Sequence, residues 1–298
     1  MIGVVIIQLA NLLNTKKDIE ILKEVKRIFS FHYAANFFYP VQVCFRQIKK
    51  LYNGEFKGYR KCNTQYHDYY HTMDVFLASA RLLDGYNLTE KSLPLELSLN
   101  LLFSSLFHDA GYLQEESDNI GTGGKYTSNH EYRSIALLKK HYTAFGIPSG
   151  NIISITNLIE ATGLGIDFDG INFRSNEEML VGAIAGTSDL LGQMADREYL
   201  EKLIFLYNEF TEAGISGYDT EYDIIKKTED FYMLTKKRLE TELRSSFVYA
   251  GRHFLIRYNI DENLYLRAID GHIEYLRKII NDETTNFRHK LKRTRSNI

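Results

Sequence analysis

The chain has 298 residues, 44% of them apolar and 25% charged, which is the balance of an ordinary soluble globular protein and not of a disordered one. With 36 basic against 38 acidic side chains the formal net charge is -2, so no global field draws the protein to nucleic acid or anionic lipid. An anionic substrate must then be held by a local cluster or a metal, and the two cysteines, Cys44 and Cys62, lack ligand spacing and fit a reduced, cytoplasmic setting.

The chain opens on MIGVVIIQLANLL, an apolar run with no basic residue ahead of it and too short to span a bilayer. It reads as a helix or strand packed on the body, with a homodimer contact as the alternative. Proline occurs only at Pro40, Pro94 and Pro148, so long helices are permitted nearly everywhere. Apolar residues recur at helical spacing over 17–30, 41–52, 69–83, 94–108, 129–143, 151–162, 177–191, 196–213, 228–257 and 262–281. No alternating strand pattern of convincing length competes, so an all-α bundle is expected. NLTE (87–90) and GIPSG (146–150) read as turns, Thr127 and Ser128 precede a helix, the glycine-rich stretch 115–126 reads as a mobile loop, and 163–175 as a second loop. The basic tail from Asn286 to Ile298, with Arg288, Lys290, Lys292, Arg293 and Arg295, reads as a solvated end.

The stretch YHDYYHTMDV (66–75) places two imidazoles four residues apart. On a helix His67 and His71 would share one face, rotated by about 40°. The apolar run LLFSSLF then ends in His108 and Asp109, and AIAGTSDLLGQM sets Asp189 in another apolar helix. A carboxylate at such a place costs several kcal/mol unless compensated, and a divalent cation compensates strongly; the bland readings are a helix cap for Asp109 and an exposed helical residue for Asp189. A mixed set of two neutral imidazoles and two carboxylates suits Zn, Mn, Fe or Mg and leaves positions open to water and substrate.

These motifs, YHDYYHTMDV, FHDAGY and SDLLGQM, resemble in order the signature of the HD superfamily of metal-dependent phosphohydrolases, and within it the catalytic domain of the cyclic nucleotide phosphodiesterases and their bacterial relatives. The likeness covers about residues 60 to 210. It implies an HD-domain-like helical bundle with two divalent metal ions, His71, His108, Asp109 and Asp189 ligating the first and Asp109 bridging to the second. By the same resemblance His67 protonates the leaving oxygen, and Asn129, His130 and Glu131 are candidates for the second metal or for orienting water. Two cations sharing Asp109 would acidify a bridging water and offset phosphate charge. Asp74 is a candidate to orient a ligating histidine from behind, and Tyr66 is a candidate substrate contact.

Some residues depart from the family pattern. Asp68 stands where those enzymes have asparagine, Tyr112 where they have a third histidine, and the last glutamine, Gln193, precedes the position of their nucleobase-holding one. Phe247, Tyr249 and Phe254 sit at helical spacing and read as core. GTGGKYT (121–127) fails as a P-loop because Tyr126 follows the lysine, and GTSDL (186–190) lacks the second glycine of a nucleophile elbow. His32, His141, His253, His272 and His289 have no partner spacing and default to structural roles.

The expected organisation is an N-terminal helical extension (1–60), a phosphohydrolase core (61–215) and C-terminal helices packed on it (216–298). The expected activity is hydrolysis of a small phosphorylated substrate, a cyclic nucleotide or similar phosphodiester, without nucleic-acid or membrane binding. Two alternatives stand beside it, a nucleotide phosphomonoesterase of the same chemistry and a non-catalytic nucleotide-binding sensor.

Overall fold

The computed structural model describes residues 7–282, 284 and 286–291. Among them there is no strand, and the chain forms an all-α bundle. Its helices are α1 (Leu9–Leu12), α2 (Asp18–Phe29), α3 (Tyr39–Tyr52), α4 (Tyr69–Thr89), α5 (Leu95–Phe107), α6 (His130–His141), α7 (Ile152–Glu160), α8 (Asn176–Met194), α9 (Tyr199–Glu212), α10 (Glu221–Glu240), α11 (Val248–Tyr258) and α12 (Leu264–Asn281). No described helix is long and apolar enough to cross a membrane.

Helix α4 is the axis of the bundle. Its residues from His71 to Gly85 are buried on every face, and α2, α5, α8 and α11 pack around it. A helix buried all round belongs at the centre of a large domain, and the polar residues that α4 carries there must find partners within it. The Asp68 carboxylate starts it by accepting the His71 backbone N–H at 2.8 Å. One apolar cluster joins α2 and α3 to the α4–α7 side and runs across residue 60, and another joins α8, α9, α11 and α12 to α4 and runs across residue 215.

Four local expectations are corrected. Residues 228–257 form two helices, α10 and α11, because Arg244 (φ 54°) and Ser245 (φ 55°) adopt the left-handed region between them. That conformation costs about 1–2 kcal/mol at a non-glycine residue. It is offset where Leu243 is buried and where the Ser246 hydroxyl, which donates to the Ala183 carbonyl at 3.2 Å, meets Thr187 Oγ1 at 2.7 Å. NLTE does not turn: α4 runs through Thr89, whose hydroxyl donates to the Gly85 carbonyl, while the Asn87 amide donates to Tyr33 and accepts from the Leu93 N–H.

The stretch 115–126 is anchored and not a mobile loop. Asp118 takes Lys125 Nζ at 2.6 Å and the Tyr126 hydroxyl, Thr122 donates to Glu212, and the Gly123 N–H donates to Asn63 Oδ1 at 3.0 Å. At the C-terminal end Arg288 pairs with Glu221 and Lys290 with Asp282, so these two are held against the body. Lys292, Arg293 and Arg295 lie outside the described residues, as does the start of the N-terminal apolar run.

Candidate metal centre

Three segments converge where α4, α5 and α8 meet. His71 is in the first turn of α4, His108 and Asp109 follow the last turn of α5, and Asp189 is on α8. His71 Nε2 lies 3.2 Å from Asp109 Oδ2, 3.2 Å from Asp189 Oδ1 and 3.2 Å from His108 Nε2. His108 Nε2 is 3.3 Å from Asp109 Oδ2 and 3.6 Å from Asp189 Oδ1. The donor atoms of His71, His108 and Asp109 all lie within 4.8 Å of one another and the three residues are buried, so together they could hold a metal ion.

Two details favour that use over a plain ion-pair cluster. His108 Nδ1 is 2.9 Å from the Ser105 carbonyl, which can only accept; Nδ1 therefore carries the hydrogen and a neutral ring turns its Nε2 lone pair toward the other donors. Asp109 Oδ2 is buried without a hydrogen-bond partner, an acceptor left over in the middle of the group. Burial alone would keep His71 neutral and Asp109 protonated, but the facing charges outweigh it. The Asp109 and Asp189 carboxylates push His71 up to about 10, and His108 with His71 holds Asp109 well below the usual carboxylate range. A cation entering this set would displace protons from the imidazoles.

Two close approaches assemble the group. A Cβ on Gly111 would stand 1.9 Å from the His130 carbonyl, so glycine lets the turn after Asp109 lie directly on α6. Ser134 locks that contact, donating to the His108 carbonyl at 2.7 Å and accepting the Gly111 N–H at 2.8 Å. A Cβ on Gly192 would stand 2.9 Å from the Val75 nitrogen, so glycine also brings α8, and Asp189 with it, against α4.

His67 is not on a helix with His71. It lies in the turn before α4, ahead of the cap residue Asp68, so the shared-face argument does not hold. The fold still sets the two rings 5.9 Å apart. His67 Nδ1 is 2.6 Å from Glu209 Oε2 on α9, and Glu209 Oε1 accepts the Gln65 and Tyr66 N–H groups. Glu209 carries no motif signal, because 142 residues separate it from His67 and only the packing of α9 joins them.

Tyr112 stacks between His67 and His130, at 4.3 and 4.6 Å between ring centroids, filling with an aromatic the place where a third histidine was expected. His130 Nε2 stands 3.5 Å from Asp109 Oδ1, so the two oxygens of Asp109 face different imidazoles. Glu131, with Oε2 3.3 Å from His130 Nδ1, lines the same cavity. Tyr66 is buried in that cavity beside His67, where burial raises its hydroxyl pKa well above the ordinary value.

Asn129 and Asp74 are not brought to the site. Asn129 is exposed, precedes α6 and lies outside the cavity wall. Asp74 turns away from the imidazoles because three residues along a helix leave an angular offset that the surrounding helices exploit; it faces Asp196 and a second cavity. His32 and His253 have a partner the sequence did not signal: both bond to Asp84, at 2.6 and 2.7 Å. Phe254 is core as expected, and Phe247 and Tyr249 pack on it partly buried.

The cavity over the His/Asp group holds about 380 Å3. Asp109, Asp189, His67 and His130 line it, together with Tyr199, Leu203, Phe210, Tyr218, Phe231 and Lys227. Fold and site thus define an all-α protein with a buried His-His-Asp group able to take a metal at the foot of a cavity. No protein-family model matches the chain, and no curated protein matches it.

Proposed function

We propose that the chain is a divalent-metal-dependent phosphohydrolase acting on a nucleotide phosphodiester. The carrying observation is the unpartnered Oδ2 of Asp109, set between two imidazole Nε2 atoms and the Asp189 carboxylate. A buried acceptor in such company fits a cation better than it fits solvent or a further hydrogen bond. His71, His108, Asp109 and Asp189 would hold the first ion; Asp109 Oδ1 and His130, with Glu131 close by, are the groups for a second. Bound there, divalent cations neutralise phosphate charge and make water more acidic.

The protein's own groups supply the rest. Glu209 accepts the Nδ1 hydrogen of His67, which fixes the tautomer and the orientation of the ring. His67 Nε2, in the wall of the cavity, is then the atom that gives a proton to the leaving oxygen. The Tyr112 ring, stacked at 4.3 Å with 9° between planes, keeps the His67 ring from rotating. Tyr66 and the other aromatic residues of the lining receive the organic part of the substrate and exclude water from it.

The test begins with metal analysis after metal-replete expression: near-stoichiometric Mn, Zn, Fe or Mg is expected, and a content near zero per chain would sink the reading. Metal-loaded protein is then offered cyclic mononucleotides, cyclic dinucleotides and nucleoside phosphates with Mn, Mg or Zn. Opening of a diester without free phosphate is the expected outcome. Release of free phosphate from monoesters would favour a phosphomonoesterase, and metal binding without turnover of any of them a sensor.

A further inference from the structure

A second cavity of about 320 Å3 is bordered by α4 and α8. Asp74 and Arg81 on α4, Gly192 on α8, Asp196 just beyond it, and the segment from Leu9 to Lys16 enclose it. Its charged lining is balanced, with Lys16, Arg81 and Arg197 against Asp74, Asp196 and Glu198.

Most of these charges are already satisfied. Lys202 reaches Asp196 at 2.7 Å, and Lys16 reaches Glu198 at 3.2 Å. Two are not. The Asp74 carboxyl is 9% exposed and hydrogen-bonds to the Thr15 side chain, but its Oδ2 is buried without a partner. Arg81 is 2% exposed; its Nη1 donates to the Tyr265 hydroxyl at 3.0 Å and its guanidinium rests near the Phe254 and Tyr265 rings, yet its Nε is buried without a partner.

Lys202 and Lys16 act on Asp74 and Arg81 acts on Glu24 through space, but among the described residues neither Asp74 nor Arg81 makes a close ion pair. A buried acid oxygen and guanidinium nitrogen without a partner are costly to keep unless a ligand completes them. Seven residues apart on one helix, Asp74 and Arg81 share a face, with Cα atoms about 10 Å apart along the axis. Burial first, and the Asp196 carboxylate second, push Asp74 up to about 7 against the opposing pull of Lys202 and Lys16.

We propose that this cavity binds a small zwitterion, its ammonium on Asp74 and its carboxylate on Arg81. The cavity shares α4 and α8 with the His/Asp group, because His71 and Asp74 are one turn apart on α4, as Asp189 and Gly192 are on α8. The site stands whether or not the other cavity performs phosphoester chemistry.

The full chain is titrated calorimetrically with glycine, γ-aminobutyrate and ε-aminocaproate, once with EDTA and once without it. Saturable binding is expected for at least one of the two longer probes, and glycine, too short to bridge the two groups, should bind at least tenfold more weakly. Asp74→Asn and Arg81→Gln should each weaken it tenfold or more, and Ala10→Trp, an exposed position at the rim, should block it without touching the core. The Asp74 and rim variants keep the test valid if Arg81→Gln does not fold. Absence of saturable binding to the wild-type chain overturns the proposal, as does binding that both Asp74→Asn and Ala10→Trp leave unchanged. Binding seen only when EDTA is omitted belongs to the His/Asp group and overturns it equally.

Discussion

His67 and Glu209 face each other at 2.6 Å across 142 residues of sequence, the imidazole from the turn before α4 and the carboxylate from α9. The pair is mostly buried, and the second oxygen of Glu209 is already engaged by the backbone of the turn that carries His67. Glu209 therefore holds both the ring and the loop that presents it. Replacing it with glutamine should lower turnover of the substrate identified by the screen roughly 10- to 100-fold, the usual effect of losing such a supporting group. Metal content should not change. A variant with normal turnover would leave Glu209 a purely structural residue.

Asp109→Ala removes the one residue that faces both His71 with His108 and, through its other oxygen, His130. Metal content measured by atomic emission should fall to near zero, with hydrolysis lost as well. His67→Ala should keep the metal and lose turnover about 100-fold or more. Loss of metal in the His67 variant would contradict its role as a proton donor.

Gly111→Ala would put a methyl group where the His130 carbonyl lies. The turn after Asp109 and helix α6 must separate, at a cost of about 1–3 kcal/mol as for other overpacked contacts. Thermal unfolding should register that loss. Because His130 rides on α6, any second ion held between it and Asp109 should bind more weakly than the first, which a stepwise metal titration would resolve.

Asp84 on α4 accepts from His32, His253 and both Arg257 nitrogens, tying the segment after α2 and helix α11 to the central helix. Asp84→Ala leaves these donors buried without an acceptor and should cost about 3–5 kcal/mol in chemical denaturation. This is the largest single effect expected outside the metal group.

The same cluster sets an acid limit on stability. Burial lowers the His253 pKa despite its bond to Asp84, so the unfolded chain takes up that proton more readily than the native one. Stability should begin to fall as pH drops below about 6.5, the unfolded histidine value. Asp84 is buried, yet Arg257, His253 and His32 hold its pKa far below the ordinary value, so its contribution is present above about pH 4 and is lost below it. His253→Gln, measured by urea unfolding between pH 8 and 5, should flatten the first decline and leave the second.

The helical class of the chain and the extent of most helices were legible from composition and periodicity, because apolar spacing along one segment is a local property. The α10–α11 break was not legible: Arg244 and Ser245 are not glycines, and their left-handed backbone is stabilised by what Leu243 and Ser246 meet elsewhere in the fold. Among the site candidates, His71, His108, Asp109 and Asp189 stood out in the sequence because polar donors in apolar runs need a reason. Their convergence, with distances of 3.2–3.6 Å, was decided by tertiary packing at Gly111 and Gly192. Helical spacing misplaced His67 and Asp74, since His67 lies before the helix and Asp74 turns to another cavity. Glu209, Asp84 and the unpartnered Nε of Arg81 were invisible to the sequence alone. A carboxylate or guanidinium shows its purpose only through what is folded against it, and those partners come from helices far away along the chain.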